Sequence, residues 1–166
     1  MQSNVKGADR ARGDAGERLT PLELGAWRGM LRAHAELTRR LDAELHTRHG
    51  MSLTSYEVLM LLSDAPRGRL RVSELSAATL LSMSGVSRMI DRLAREGLVV
   101  KQACEEDGRG AEVTLTPMGR GRVRSARVSH LADVRAHFLS RLSDDELVAL
   151  AGVWERVAPE EAGDPA

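Results

Sequence analysis

VSELSAATLLSMSGVSRMIDRLAREGLVVKQACEEDGRGAEVTL, residues 72–115, decides how this chain is read. Ser73 stands where a short helix would be capped, with Leu75 turned inward. A turn near Leu80 and Leu81 precedes a longer helix, capped by Ser82 or Ser84, whose apolar side is Val86, Met89, Ile90 and Leu93. Gly97 suits a left-handed stop at its end. Leu98-Val-Val-Lys and Ala111-Glu-Val-Thr-Leu read as strands, and residues 105–110 between them, EEDGRG, hold the glycines that a hairpin tip needs. Just upstream, Arg69-Leu-Arg-Val-Ser reads as a first edge strand of the same sheet. Two short helices followed by a two-stranded ribbon form a winged helix-turn-helix, the layout that puts its second helix into a DNA groove.

A groove-reading helix needs an apolar back and a small or polar front. With Val86, Ile90 and Leu93 inward, residues 82–96 present Ser84, Gly85, Ser87 and Arg88, followed by Arg92 and Arg95. Small side chains permit close approach, and Arg88 is long enough for guanine O6 and N7 or for a phosphate. Ser82 and Ser84, at a helix N-terminus, suit a phosphate. The same residues also suit an ordinary surface helix in which Asp91 and Arg95 pair at i,i+4 and Arg88 is solvated. The wing adds weight to the first reading, because a hairpin at that place tracks the backbone or sends an arginine into the minor groove. Arg109 is the residue placed for it, with Asp107 able to hold the guanidinium extended; Glu105 and Glu106 suit a solvated turn instead.

On either side lie long helices. Thr20-Pro-Leu-Glu23 supplies a capping hydroxyl, a proline at the first helical position and a returning carboxylate. The helix it opens carries Leu24, Trp27, Leu31, Leu37, Leu41 and Leu45 in one stripe and stops near Gly50. A second capping box, Thr54-Ser-Tyr-Glu57, opens a helix through Tyr56, Leu59, Met60 and Leu62 that Ala65-Pro-Arg-Gly68 ends. Thr116-Pro117 starts another, running to about Leu139 with Val123, Leu131, Val134 and Phe138 inward. A third box, Ser143-Asp-Asp-Glu146, opens the last, with Leu147, Leu150, Val153, Trp154 and Val157. Residues 1–19 hold too little apolar surface to offset chain entropy and read as a disordered arm; 159–166 read as a frayed tail.

Composition narrows the alternatives. Hydrophobic residues make up 42% of the 166 but aromatics only 2%, so the core is built from Leu, Val, Ala and Met, which suits packed helices. The formal net charge is zero, yet Arg67 to Arg95 contains six arginines against Glu74 and Asp91, and Arg120, Arg122, Arg124 and Arg127 have no acid among them. What matters for a nucleic-acid partner is where charge sits. Cys104 is the only cysteine, which excludes an intrachain disulfide and makes a reducing compartment the default. With no signal-like N-terminus and no stretch approaching the ~20 apolar residues of a membrane span, the expectation is a cytoplasmic protein without membrane partner.

Over residues 20–158 the chain resembles the MarR family of bacterial transcriptional regulators. The residues that carry the likeness are Ser73-Glu-Leu-Ser, the run from Ser84 to Val99, the wing tip Asp107-Gly-Arg109, and Leu115-Thr-Pro-Met-Gly119. The resemblance implies a mainly α fold, a single domain in which residues 66–116 form the winged helix-turn-helix with its small β wing and residues 20–65 and 117–158 form the dimerisation helices. It also implies a homodimer on a pseudopalindromic operator, in which Ser84, Ser87 and Arg88 face bases and phosphates and Asp107 and Arg109 serve the wing. Many members are repressors released from DNA by a small phenolic or other ligand, or by cysteine oxidation. Members that sense oxidants through a thiol carry it near the start of the first long helix, whereas Cys104 lies at the wing.

Such members have a cleft between dimerising helices and wing, and Trp27, Leu31, His34, Tyr56 and Met60 are the residues here that could line it; all five equally suit core or interface positions. The stripes of the flanking helices exceed what one winged domain can cover, and a second copy would place two reading helices about one DNA turn, ~34–36 Å, apart. His46 with His49, and His130 with His137, share helix faces without the cysteine partners or HExxH spacing of a metal site, so no metal or other cofactor is expected. No nucleophile–base pair or phosphate loop points to an enzyme. The remaining alternative to DNA reading is a winged module that binds protein through Glu105 to Asp107.

Overall fold

The computed structural model describes residues 18–79, 81–103 and 111–159. The expected arm up to residue 17, the turn residue Leu80, the wing tip with Cys104, Asp107 and Arg109, and the tail from residue 160 lie outside the described residues. In chain order the elements are α1 (Pro21–His49), α2 (Leu53–Asp64), a 3-10 turn (Pro66–Gly68), β1 (Arg69–Arg71), α3 (Val72–Ala77) and α4 (Met83–Arg95). They are followed by β2 (Val99–Ala103), β3 (Ala111–Leu115), α5 (Pro117–His137), a second 3-10 turn (Leu139–Arg141) and α6 (Asp144–Val157). Two compact units divide the chain, one ending at Arg39 and the other beginning at Arg40.

The first unit contains the start of α1. The capping box forms as expected: the Thr20 amide donates to the Glu23 carboxylate (2.7 Å) and the Glu23 amide to the Thr20 hydroxyl (3.3 Å). The Thr20 amide, together with the Thr20 hydroxyl that donates to the same carboxylate (2.8 Å), holds the Glu23 carboxyl below its usual range.

The second unit holds one hydrophobic core, drawn from Leu59 and Leu62 of α2, Leu75 of α3, Val86, Ile90 and Leu93 of α4, Val113 and Leu115 of β3, and Val123 and Ala126 of α5. The strands run β1-β3-β2, all antiparallel, with Arg69 opposite Thr114 and Val99 opposite Leu115. Arg69-Leu-Arg71 is thus an edge strand, and β2 continues two residues beyond the expected Lys101.

Several helix starts differ from the sequence expectation. α2 is capped by Ser52, whose hydroxyl accepts the Ser55 amide (3.2 Å), while the Asp42 carboxylate accepts the Leu53 amide (2.8 Å). Thr54 and Glu57 therefore make no capping box; Asp42, eleven residues upstream, supplies the second acceptor. α3 begins two residues earlier than a cap at Ser73 implies, with Arg71 at the cap and its amide bonded to Glu74. On α5 the inward positions are Gly119, Val123, Ala126 and Asp133, so Leu131 faces out.

Where α4, the wing and α5 meet, the chain is tied tightly. Gly97 has φ 72° and closes α4 in a Schellman motif, its amide on the Ala94 carbonyl (3.0 Å) and the Leu98 amide on the Leu93 carbonyl (2.9 Å). The Thr116 hydroxyl donates to the Gly97 and Leu98 carbonyls (2.8 and 3.0 Å) and accepts the Gly119 amide (3.0 Å). Gly119 lies so close to the Leu98 carbonyl that a Cβ would collide with backbone, whereas at Gly121 a Cβ meets open space. We expect Gly119→Ala to destabilise the protein by about 3 kcal/mol through overpacking. Gly121→Ala, two residues along the same helix, should stabilise it by about 1 kcal/mol through helix propensity. Urea unfolding of both variants measures the difference.

Candidate functional site

α4 is the centre of the site. Ser82 caps it, accepting the Gly85 amide at 3.2 Å, and its oxygen also lies 3.2 Å from the Ser84 hydroxyl. Of the two cap residues offered by the sequence, Ser82 performs the task. Val86, Ile90 and Leu93 are each 0% exposed, and α4 packs on α3 and β2. Burying these three side chains contributes about 1.5–3 kcal/mol each. The outward side presents Ser84 and Arg88, both exposed, with Gly85 and Ser87 half-buried.

The remaining charged residues of α4 are largely committed within the protein. Arg92 donates to the Ser55 hydroxyl, which is buried at the start of α2, and lies 3.9 Å from Glu96. It braces the helix against α2 as much as it faces solvent. Asp91 pairs with Lys101 of β2 at 2.8 Å, and Arg95 donates to the Asp91 carbonyl (3.3 Å). The i,i+4 pairing of Asp91 with Arg95 does not form, because the wing brings a lysine within reach of the carboxylate. Sequence reasoning also passed over Met83, the first residue of α4, whose side chain is 52% exposed. Its spacing to Val86 and Ile90 continues the apolar stripe, and only its exposure at the helix end sets it apart. Asp107 and Arg109 lie outside the described residues, between strands whose ends, Ala103 and Ala111, are paired.

The residues named for a ligand cleft are placed as follows. Trp27, Leu31 and His34, in the first unit, are exposed along α1. In the second unit Tyr56 is buried in the core and Met60 packs against it. Burial pushes the Tyr56 hydroxyl above the usual phenol value; Asp64 adds to this and Arg127 opposes it. The Tyr56 ring packs on His130, centroids 4.6 Å apart. Neither histidine pair is arranged as a metal site: His49 Nε2 lies 2.7 Å from the Ser129 hydroxyl, and among the described residues no cluster of three His, Cys, Asp or Glu is placed to hold an ion. Close by, Arg48 Nη1 reaches both oxygens of the buried Asp133 (3.1 and 2.8 Å), while Nη2 reaches Glu44 (2.9 Å). That clamp ties the end of α1 to α5 and explains how a carboxylate occupies an inward position.

The MarR family model matches residues 49–110. The HTH-type transcriptional repressor YetL of Bacillus subtilis is 31% identical over 113 residues, covering 66% of this chain and 67% of its own. Among solved structures, AbsC, a MarR family transcriptional regulator from Streptomyces coelicolor, is 34% identical, with TM-score 0.80 and coverage of 86% of this chain and 95% of its own. Sco3205, a MarR family regulator of the same organism in complex with DNA, is 30% identical, with TM-score 0.82 and coverage of 90% and 96%. The chain belongs to the MarR family.

In this MarR-family chain His130 is half-buried, and its Nδ1 has no hydrogen-bond partner among the described residues. Burial lowers its pKa from 6.5, against the pull of the Asp133 charge. A base with a depressed folded pKa contributes stability that is present above 6.5 and lost as pH falls through the folded value. Urea unfolding from about pH 7.5 to 5.5 should therefore show wild type losing more stability than His130→Phe, which keeps an aromatic ring against Tyr56 and takes up no proton.

Proposed function

We propose that this chain is a sequence-specific DNA-binding transcriptional regulator, a repressor acting as a homodimer on a pseudopalindromic operator. The observation that carries the reading is α4: a helix fixed by three fully buried residues, offering Ser84 and Arg88 outward, with an antiparallel wing directly after it. Ser82, Ser84 and Gly85 form its entering end, Ser87 and Arg88 contact base edges and phosphate, and Arg92 holds the helix to α2 while its exposed part faces the backbone. Asp107 and Arg109 serve the wing. Repression follows YetL, which is named a repressor, and DNA binding follows Sco3205, whose structure is a complex with DNA.

A homodimer, typical of the family, accounts for the apolar surface that the second unit leaves uncovered. Val128 and Leu131 of α5 and Val148, Trp154 and Val157 of α6 are exposed, and α6 has no buried residue in the single chain. A helix of 14 residues whose apolar face is only half-buried, as at Leu147, Leu150 and Val153, gains little from packing and is marginal in water. We take residues 20–158 to act as one domain, with α1, α5 and α6 dimerising and residues 66–116 reading DNA. No helix of the described residues is long and apolar enough to cross a membrane, and the proposed compartment is the cytoplasm. A small-molecule effector is typical of the family; to act, it must bind the DNA-competent and DNA-incompetent states unequally. The proposal includes no catalytic step and no cofactor.

The test is binding of the purified protein to its own upstream region against random duplex at moderate salt. Specific binding supports the proposal, and equal affinity for both would overturn it. Arg88→Ala should cost about 1–3 kcal/mol and relax base preference at one position of each half-site. Arg109→Ala should weaken binding to all duplexes alike and flatten the salt dependence, because a backbone or minor-groove contact carries little sequence information. Titrations at several salt concentrations distinguish the two.

A further inference from the structure

Among the described residues, Met83 is the one large apolar side chain of α4 left exposed, and it is the first residue of the helix. Side chains of a helix lean toward its N-terminus, so Met83 projects from the end that enters the groove. The polar groups beside it are already engaged. Ser82 accepts the Gly85 amide as the cap, and the Ser84 hydroxyl lies within hydrogen-bond distance of Ser82. Gly85 presents no side chain at all. The entering end of α4 therefore offers a flexible thioether and methyl more readily than a free hydrogen-bonding group, while Arg88 provides the long donor further along.

In the major groove the feature that an apolar side chain recognises is the C5-methyl of thymine. We propose that Met83 is a specificity-determining residue that packs against a thymine methyl in each half-site. The inference rests on the DNA-reading function proposed above. Met83 and Arg88 are five residues apart, about 7.5 Å along the helix. Loss of one buried methyl corresponds to about a fourfold loss of affinity per half-site.

The experiment starts from an operator duplex selected from random sequence by the full-length protein. Each thymidine is replaced in turn by deoxyuridine, which removes only the methyl. Wild type should lose about fourfold in affinity at one thymine of each half-site. Met83→Ala should bind the thymidine and deoxyuridine duplexes equally, and Met83→Leu, which keeps an apolar tip, should still discriminate. Because each protein is compared with itself on two duplexes, a general loss of stability does not imitate the result. If wild type tolerates every replacement, or Met83→Ala still discriminates at the same thymine, the assignment of Met83 is wrong while DNA reading stands. If no duplex is enriched in the selection, the DNA-reading function fails and this inference fails with it.

Discussion

Everything proposed for this molecule depends on the burial of Val86, Ile90 and Leu93. These residues fix the rotation of α4 about its own axis, since a helix with three side chains at zero exposure on one side has its opposite side determined. Rotation of α4 in turn decides that Ser84 and Arg88, and not Met89 or Ala94, face outward. The core that receives them is drawn from α2, α3, β3 and α5, so the same apolar cluster that stabilises the second unit also aims the helix proposed to read DNA. A change at its centre would alter stability and aim together.

Around that cluster, polar contacts set the parts that the core leaves free. Arg92 on Ser55 holds α4 to the start of α2, and Lys101 on Asp91 holds the wing to α4. The second pair is exposed and contributes little stability; its effect is on where β2 lies relative to the helix. At the base of the wing, the Thr116 hydroxyl and the close passage of Gly119 under the Leu98 carbonyl join the end of α4, the start of β2 and the start of α5. Motion of α5 thus has a short mechanical route to the wing.

Much of this was legible in the sequence where the signal is local. Thr20 with Glu23, Ser143 with Glu146, Thr116 with Pro117, and Gly97 as a left-handed stop each depend on spacing within one turn, and each appears as expected. What was not legible depends on residues far apart in the chain. Asp42 displaces the expected cap of α2, Lys101 takes Asp91 from Arg95, and Arg48 permits Asp133 to occupy the inward position that Leu131 was expected to share. Periodicity ranks Leu above Asp as an inward residue and has no means of seeing an arginine 85 residues away. Met83 escaped for a related reason: its spacing to Val86 and Ile90 fits the apolar stripe, and only the packing around the helix end leaves it exposed.

The most direct measurement of the central claim is methylation interference on the bound operator, read at guanine N7 in the major groove. If α4 reads DNA from a dimer with the face assigned here, interference falls at guanines related by two-fold symmetry, with half-site centres about 10 bp apart. Interference absent from major-groove guanines, or confined to a single unpaired half-site, would contradict the account.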